Sequence, residues 1–319
     1  MFLSRSDEMK KDRGEKIMGY DYGKIWVAGA SGRVGTMIHN MLDMRDVELF
    51  ETDIEELDIT DAKEVNLFGL RNRPNTIINC AGMTDVKACE ENMEQAYKVN
   101  ALGARNLSAI AHKIDARIIQ ISTDDIFWDT KERSFHEFDT PNPRTVYGKS
   151  KLAGENFVKE LAPKHLIIRS SWVYGKEGDN FVNSIIEKAQ SSQPIEAAVD
   201  DFACPTSARE LSRVILRLIQ EEQEGIYHAV CSGYCSRYML AQEVLRLLGR
   251  EDEKLTPVKM AEVHSTLEGP EYTILDNMML RMCGIQTPAS WQEALAEYMG
   301  EYFSEKSDIN RNERKGRGM

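Results

Sequence analysis

The chain has 319 residues, 42% of them hydrophobic and 29% charged, with a formal net charge of -12. That length suits one large domain or two closely joined ones with a sizeable core. The acidic balance, with no Lys/Arg block outside the short tails, argues against nucleic acid as a partner, and no apolar run is long enough to span a membrane.

Residues 1–23 read as a mobile polar extension; "MFLSRSDEMKKDRGEKIMGYDYGK" has no apolar h-region and is not a signal peptide. Short apolar runs then alternate with helical patterns. Strands are expected at 24–30, 47–52, 76–82, 116–123 and 165–171. Helices are expected at 33–42, from about Met93 to His112, and at 147–161. This alternation predicts an α/β fold, a Rossmann-type doubly wound parallel sheet over 24–169. Residues 170–303 read mainly as a smaller α/β substrate-binding region, with some segments returning to the Rossmann core. It holds helices at 205–222, 236–249 and 290–299, the last two capped by Ser236 and Ser290, and a strand at 225–230. The charged tail 304–319 is expected to be disordered. Cys80, Cys89, Cys204, Cys231, Cys235 and Cys283 form no C-x-x-C pair, so reduced thiols and a cytoplasmic location are expected.

"GASGRVG" sets Gly29, Gly32 and Gly35 between a strand and a helix. Glycine lets backbone approach a diphosphate, and the helix N-terminus favours it. The loop, with Ser31, Arg33 and Val34, therefore predicts a dinucleotide site. Asp53 follows the second strand, where a carboxylate accepts both adenosine ribose hydroxyls and repels a 2′-phosphate. Ile54 beside it also favours NADH over NADPH, while Arg33 pulls weakly the other way. Asp58, next to Ile59, is placed to meet adenine. Cys80, Ala81 and Gly82 end the third run with small residues, so the cofactor can cross the sheet edge closely; Cys80 reads as filler, not as a nucleophile. Tyr147 and Lys151 in "YGKSK" stand four apart, on one helix face, where an ammonium favours the phenolate.

With Thr123 of "ISTDD", these residues match the catalytic triad of short-chain dehydrogenases. The chain resembles the dTDP-4-dehydrorhamnose reductase family, extended short-chain dehydrogenase/reductases of nucleotide-sugar metabolism. The resemblance runs from about Lys24 to Tyr302 through "GASGRVG", "STDDIF", "YGKSKLAGE", "RSSWVYG", "VDDFACPTSARELS", "TILDN" and "SWQEALAEY". It implies hydride transfer from NADH or NADPH to C4 of a nucleotide-linked 4-keto-6-deoxy sugar, most simply forming dTDP-L-rhamnose. Tyr147 would donate the proton. Lys151 would lower the phenol's pKa and hold the nicotinamide ribose, and Thr123 would hydrogen-bond the carbonyl. The resemblance also places Thr84 and Trp172 at the sugar or its diphosphate, Asn180 and Phe181 near the nucleotide, and Asn100 behind the cofactor-side backbone.

The family pattern S-T-D-Y-V-F-D-G departs here to "STDDIFWD": Asp125 replaces a tyrosine, beside Asp124, on the substrate side. Nucleotide-sugar 4,6-dehydratases carry T-D-E at this point, which keeps a dehydratase or epimerase with bound NAD+ as an alternative. A non-catalytic cofactor-binding subunit, like the family's relative that regulates methionine adenosyltransferase, is a third. Gly269-Pro270 stands where Arg-Pro is common, removing one diphosphate contact. Met37 and Arg209 stand where some members build an acidic metal site, so no metal is expected. The resemblance leaves a homodimer open.

Overall fold

The computed structural model describes residues 20–191, 193–263 and 271–316, with side chains as far as Ser304. Most of the expected mobile extension and the Gly269-Pro270 departure lie outside the described residues. The strands β1 (Gly23–Ala28), β2 (Val47–Thr52), β3 (Thr76–Asn79), β4 (Arg117–Thr123) and β5 (His165–Ser170) coincide with the apolar runs. β6 (Ile195–Ala198) belongs to the second region, and β7 (Gly225–His228) returns to the first. The six strands of the main sheet are all parallel, in the order β7-β5-β4-β3-β1-β2.

Successive strand side chains point to opposite faces, and β1 shows what each face buries. Ile25 and Val27 pack with Ile38 of α1 (Arg33–Met41) and with Leu211, Val214 and Ile215. Trp26 and Ala28 pack on the other face with Val65 of α2 (Ala62–Asn72), Leu107 and Ile110 of α3 (Ala104–Lys113), and Val158 of α4 (Val146–Leu161). Helices on both faces explain why these strands read as near-continuous apolar runs rather than alternating ones.

A separate core joins α5 (Phe181–Gln190), β6 and helices further along. The helix α6 (Ala208–Gln220) carries Leu211, Val214 and Ile215 back against α1, so it belongs to the Rossmann core. α7 (Arg237–Leu247) and α8 (Trp291–Gly316) complete the second region. The Ser236 hydroxyl accepts from Met239 N–H and the Ser290 hydroxyl from Glu293 N–H, so both expected caps form.

Three expectations are corrected. Tyr22, assigned to the mobile extension, is buried in the core beside α6 and accepts a hydrogen bond from Gln220 Nε2 at 2.9 Å. The helix expected from Met93 to His112 is interrupted by a π-helical stretch, Lys98–Gly103. Such bulges are frequent at functional sites, and here α4 packs so closely on the turn that a Cβ on Gly154 would overlap the Asn100 carbonyl. The last helix runs on to Gly316 through the tail expected to be disordered; the Glu, Lys and Arg residues there are good helix formers.

Candidate active site

The ends of β1, β3 and β4 open on two adjoining clefts. The smaller, about 360 Å³, is lined by Gly29, Ser31 and Gly32 of the glycine loop, by Asp53, Asp58 and Ile59, and by Cys80, Ala81 and Gly82. Met83, Gln95 and Val99, which the sequence did not single out, close it. The glycine loop is shaped by backbone. Gly29 has φ +77°, and its Cβ would stand 2.5 Å from Ala81 N. A Cβ on Gly35 would stand 2.6 Å from the carbonyls of both Gly29 and Ala30. Gly32 caps α1 without a side chain over its first N–H groups, which leaves them facing a ligand. This cradle fits a dinucleotide diphosphate.

Asp53 is preorganised. Its Oδ2 accepts from Ser31 N–H at 3.0 Å and Ser31 Oγ at 2.5 Å, and its Oδ1 from Ile54 N–H at 2.9 Å. Burial alone raises its pKa, but these bonds outweigh it and hold the carboxyl below its ordinary value, as an anion. Asp58 accepts from Thr60 N–H at 2.8 Å.

The larger cleft, about 940 Å³, brings Thr123, Tyr147 and Lys151 together with Thr84, Trp172, Asn180 and Phe181. Thr123 ends β4. Thr145 Oγ1 caps α4 by accepting from Gly148 N–H at 2.9 Å, which sets Tyr147 in the first turn and Lys151 one turn on. Burial pushes the Tyr147 phenol well above its ordinary pKa, and the charge of Asp125 adds to this, so the phenol stays protonated. Lys151 Nζ donates to Ile121 O at 2.6 Å. Burial lowers its pKa to about 8, with Glu155 pulling the other way. The phenol's net shift is therefore upward rather than downward: desolvation and the acid beside it dominate.

Asp124 is buried and fully engaged. Its Oδ2 accepts from Ser171 Oγ at 2.7 Å and Thr273 Oγ1 at 2.6 Å, tying β4 to two later segments. Asp125 faces the cleft; burial, then the charges of Asp124 and Asp201, raise its carboxyl to about 7. Asn180 caps α5 through Asn183 N–H at 3.1 Å. Trp172 holds φ +40°, an unusual backbone for a bulky residue, and its ring lies 3.5 Å from the Arg237 guanidinium carbon. Arg237 also pairs with Asp201 at 3.1 Å. Sequence reading missed both residues, although Asp201 lies within the quoted "VDDFACPTSARELS".

Of the expected cofactor residues, Asn100, Arg33 and Val34 do not line the smaller cleft. Asn100 lies behind the cleft wall: its side chain accepts from Met83 N–H at 2.8 Å and donates to Met83 O and Ser150 Oγ, both at 3.0 Å. Arg33 lines the larger cleft with Val34 rather than the adenosine side.

Fold and site together define an NAD(P)-dependent short-chain dehydrogenase/reductase. Residues 23–304 match the family model described as the RmlD substrate binding domain. The dTDP-4-dehydrorhamnose reductase of Streptomyces griseus is 32% identical over 85% of this chain and 91% of its own. The spore coat polysaccharide biosynthesis protein SpsK of Bacillus subtilis is 32% identical over 88% of this chain and 98% of its own. A crystal structure of a dTDP-4-dehydrorhamnose reductase from Bacillus anthracis, in complex with NADP, is 33% identical, with TM-score 0.85 over 87% of this chain and 99% of that one. The chain belongs to the dTDP-4-dehydrorhamnose reductase family.

Proposed function

We propose that the protein reduces the C4 ketone of a nucleotide-linked 4-keto-6-deoxy sugar with NAD(P)H, converting dTDP-4-dehydro-L-rhamnose to dTDP-L-rhamnose. The observation that carries this reading is the convergence of Thr123, Tyr147 and Lys151 on one cleft that adjoins the glycine loop. The backbone N–H groups that open α1 hold the cofactor diphosphate, and Asp53 holds the adenosine ribose. Bound NAD(P)H supplies a hydride to C4.

Tyr147 gives its phenolic proton to the carbonyl oxygen as the alkoxide forms, and its burial keeps that proton in place until then. Thr123 Oγ1 hydrogen-bonds the same oxygen and orients it. The Lys151 ammonium stabilises the phenolate that remains. Arg237, held against Trp172, is the cation beside Asp125 and Asp201 that faces the substrate diphosphate.

The test follows NADH and NADPH oxidation by absorbance with dTDP-4-dehydro-L-rhamnose, with Tyr147→Phe as control. Turnover that falls about a hundredfold or more in the variant supports the reading. A folded wild type that binds cofactor but turns over with neither nucleotide overturns it. Asp125, a carboxyl with a pKa of about 7 next to Thr123, favours a second reading, dehydration of a nucleotide hexose with no net NADH consumption. Product analysis with dTDP-glucose separates the two.

A further inference from the structure

Arg33 belongs to the glycine loop by sequence, but its side chain leaves that loop. Its Nη1 donates to Val173 O at 3.0 Å, Nη2 to Asp179 O at 2.5 Å and Nε to Glu177 O at 3.4 Å. All three acceptors lie in the segment 173–179, which leads into the Asn180 cap of α5 and forms one wall of the larger cleft. Two glycines make room for the guanidinium. A Cβ on Gly175 would stand 3.3 Å from Arg33 Cβ, and one on Gly178, which has φ +68°, would stand 3.3 Å from Arg33 Nη2. From the other side Tyr298 Oη donates to Gly175 O at 3.2 Å and Asn183 Nδ2 to the same oxygen at 3.0 Å. The segment is thus gripped between the second region and a residue of the cofactor loop. A guanidinium committed to three carbonyls in the larger cleft is turned away from Asp53 and the adenosine side.

We propose that Arg33 is a positioning residue that couples the two ligand sites: a diphosphate seated on the glycine loop fixes the Arg33 backbone, and the Arg33 side chain fixes the wall that receives the sugar nucleotide. The proposal rests on the preceding reading of which ligand occupies which cleft. Because coupling is reciprocal, each ligand tightens the other by one common factor.

The experiment measures NADPH affinity by nicotinamide fluorescence, without and with saturating dTDP, and dTDP affinity by calorimetry, without and with NADPH. Wild type, Arg33→Met and Arg33→Lys are compared as full-length chains checked for native circular dichroism. Wild type is expected to show a reciprocal tightening of about fivefold or more. In Arg33→Met the factor falls below about twofold, while NADPH affinity without dTDP stays within about threefold of wild type. Arg33→Lys, a cation without the planar fork, recovers only part of the factor; should the Met variant not fold, this loss carries the test. Full coupling in the variants, or none in wild type, overturns the proposal. So does a loss of about tenfold or more in NADPH affinity alone, because it puts the guanidinium on the cofactor. A wild type that binds neither NADPH nor dTDP overturns the proposed function itself, and the coupling with it.

Discussion

Asp125 grips Thr123 twice: its N–H donates to Thr123 Oγ1 at 3.2 Å, and its Oδ2 stands 3.3 Å from the same oxygen. Asp124 Oδ1 stands 3.2 Å from that hydroxyl as well. A hydroxyl has one hydrogen to give, so it cannot serve both carboxylates and a substrate carbonyl together. A protonated Asp125 removes one of these claims, because it needs no donor from Thr123.

Asp125 therefore makes stability depend on pH. Its folded pKa of about 7, raised by burial and then by Asp124 and Asp201, lies above the ordinary carboxyl value of about 4. Between these values the folded state binds more protons than the unfolded state, so this contribution is complete below about pH 4 and is lost as pH rises through 7. Asp125→Asn removes the titration. Unfolding free energies from denaturant titrations should shift in favour of the variant by about 1–3 kcal/mol between pH 4 and pH 8. Parallel profiles for the two proteins would show that Asp125 keeps an ordinary pKa.

Asp53 is expected to set the cofactor preference. Its carboxylate is held ready for a ribose diol by Ser31 and Ile54. Asp53→Ala should lower kcat/KM for NADH by about tenfold to a hundredfold, the value of hydrogen bonds to a charged group. The loss for NADPH should be smaller, because repulsion of a 2′-phosphate disappears as well. Steady-state kinetics with both cofactors read the ratio, and an equal loss for both would remove Asp53 from the ribose.

Glu155 anchors the catalytic helix. It pairs with Arg169 at 2.8 Å, both side chains being almost fully buried, and accepts from Ser122 Oγ at 2.6 Å, beside Thr123. His228, next to Arg169, is pushed down to about 3 by burial and by that cation, so it stays neutral and adds no second positive charge. Glu155→Gln leaves the Arg169 charge uncompensated and should cost about 3–5 kcal/mol in chemical denaturation. A cost under about 1 kcal/mol would mean that water reaches the pair.

Gly148 lets α4 approach the Thr123–Asp125 turn. A Cβ there would overlap the Asp125 backbone carbonyl, which cannot rotate away. Gly148→Ala should cost about 1–3 kcal/mol and lower kcat as Tyr147 and Thr123 separate. Gly300→Ala in α8 is the control. A Cβ there meets nothing within 4 Å, so the change should be neutral or stabilise by up to about 1 kcal/mol. Thermal melts and turnover of the two variants compare a crowded glycine with an open one.

The sequence by itself determined what depends on near neighbours along the chain. The strand runs, the glycine loop, the Ser236 and Ser290 caps, and Tyr147 with Lys151 on one helix face all follow from spacings of a few residues. Tertiary structure decided the rest. The π-helical turn at Asn100 packs so closely on α4 that a Cβ on Gly154 would overlap the Asn100 carbonyl. Arg33 turns to segment 173–179 because carbonyls about 140 positions later converge there. Arg237 meets Asp201 and Trp172 only once α7 packs beside the cleft. Such contacts answer to packing and to the satisfaction of buried polar groups, and local periodicity carries no record of either.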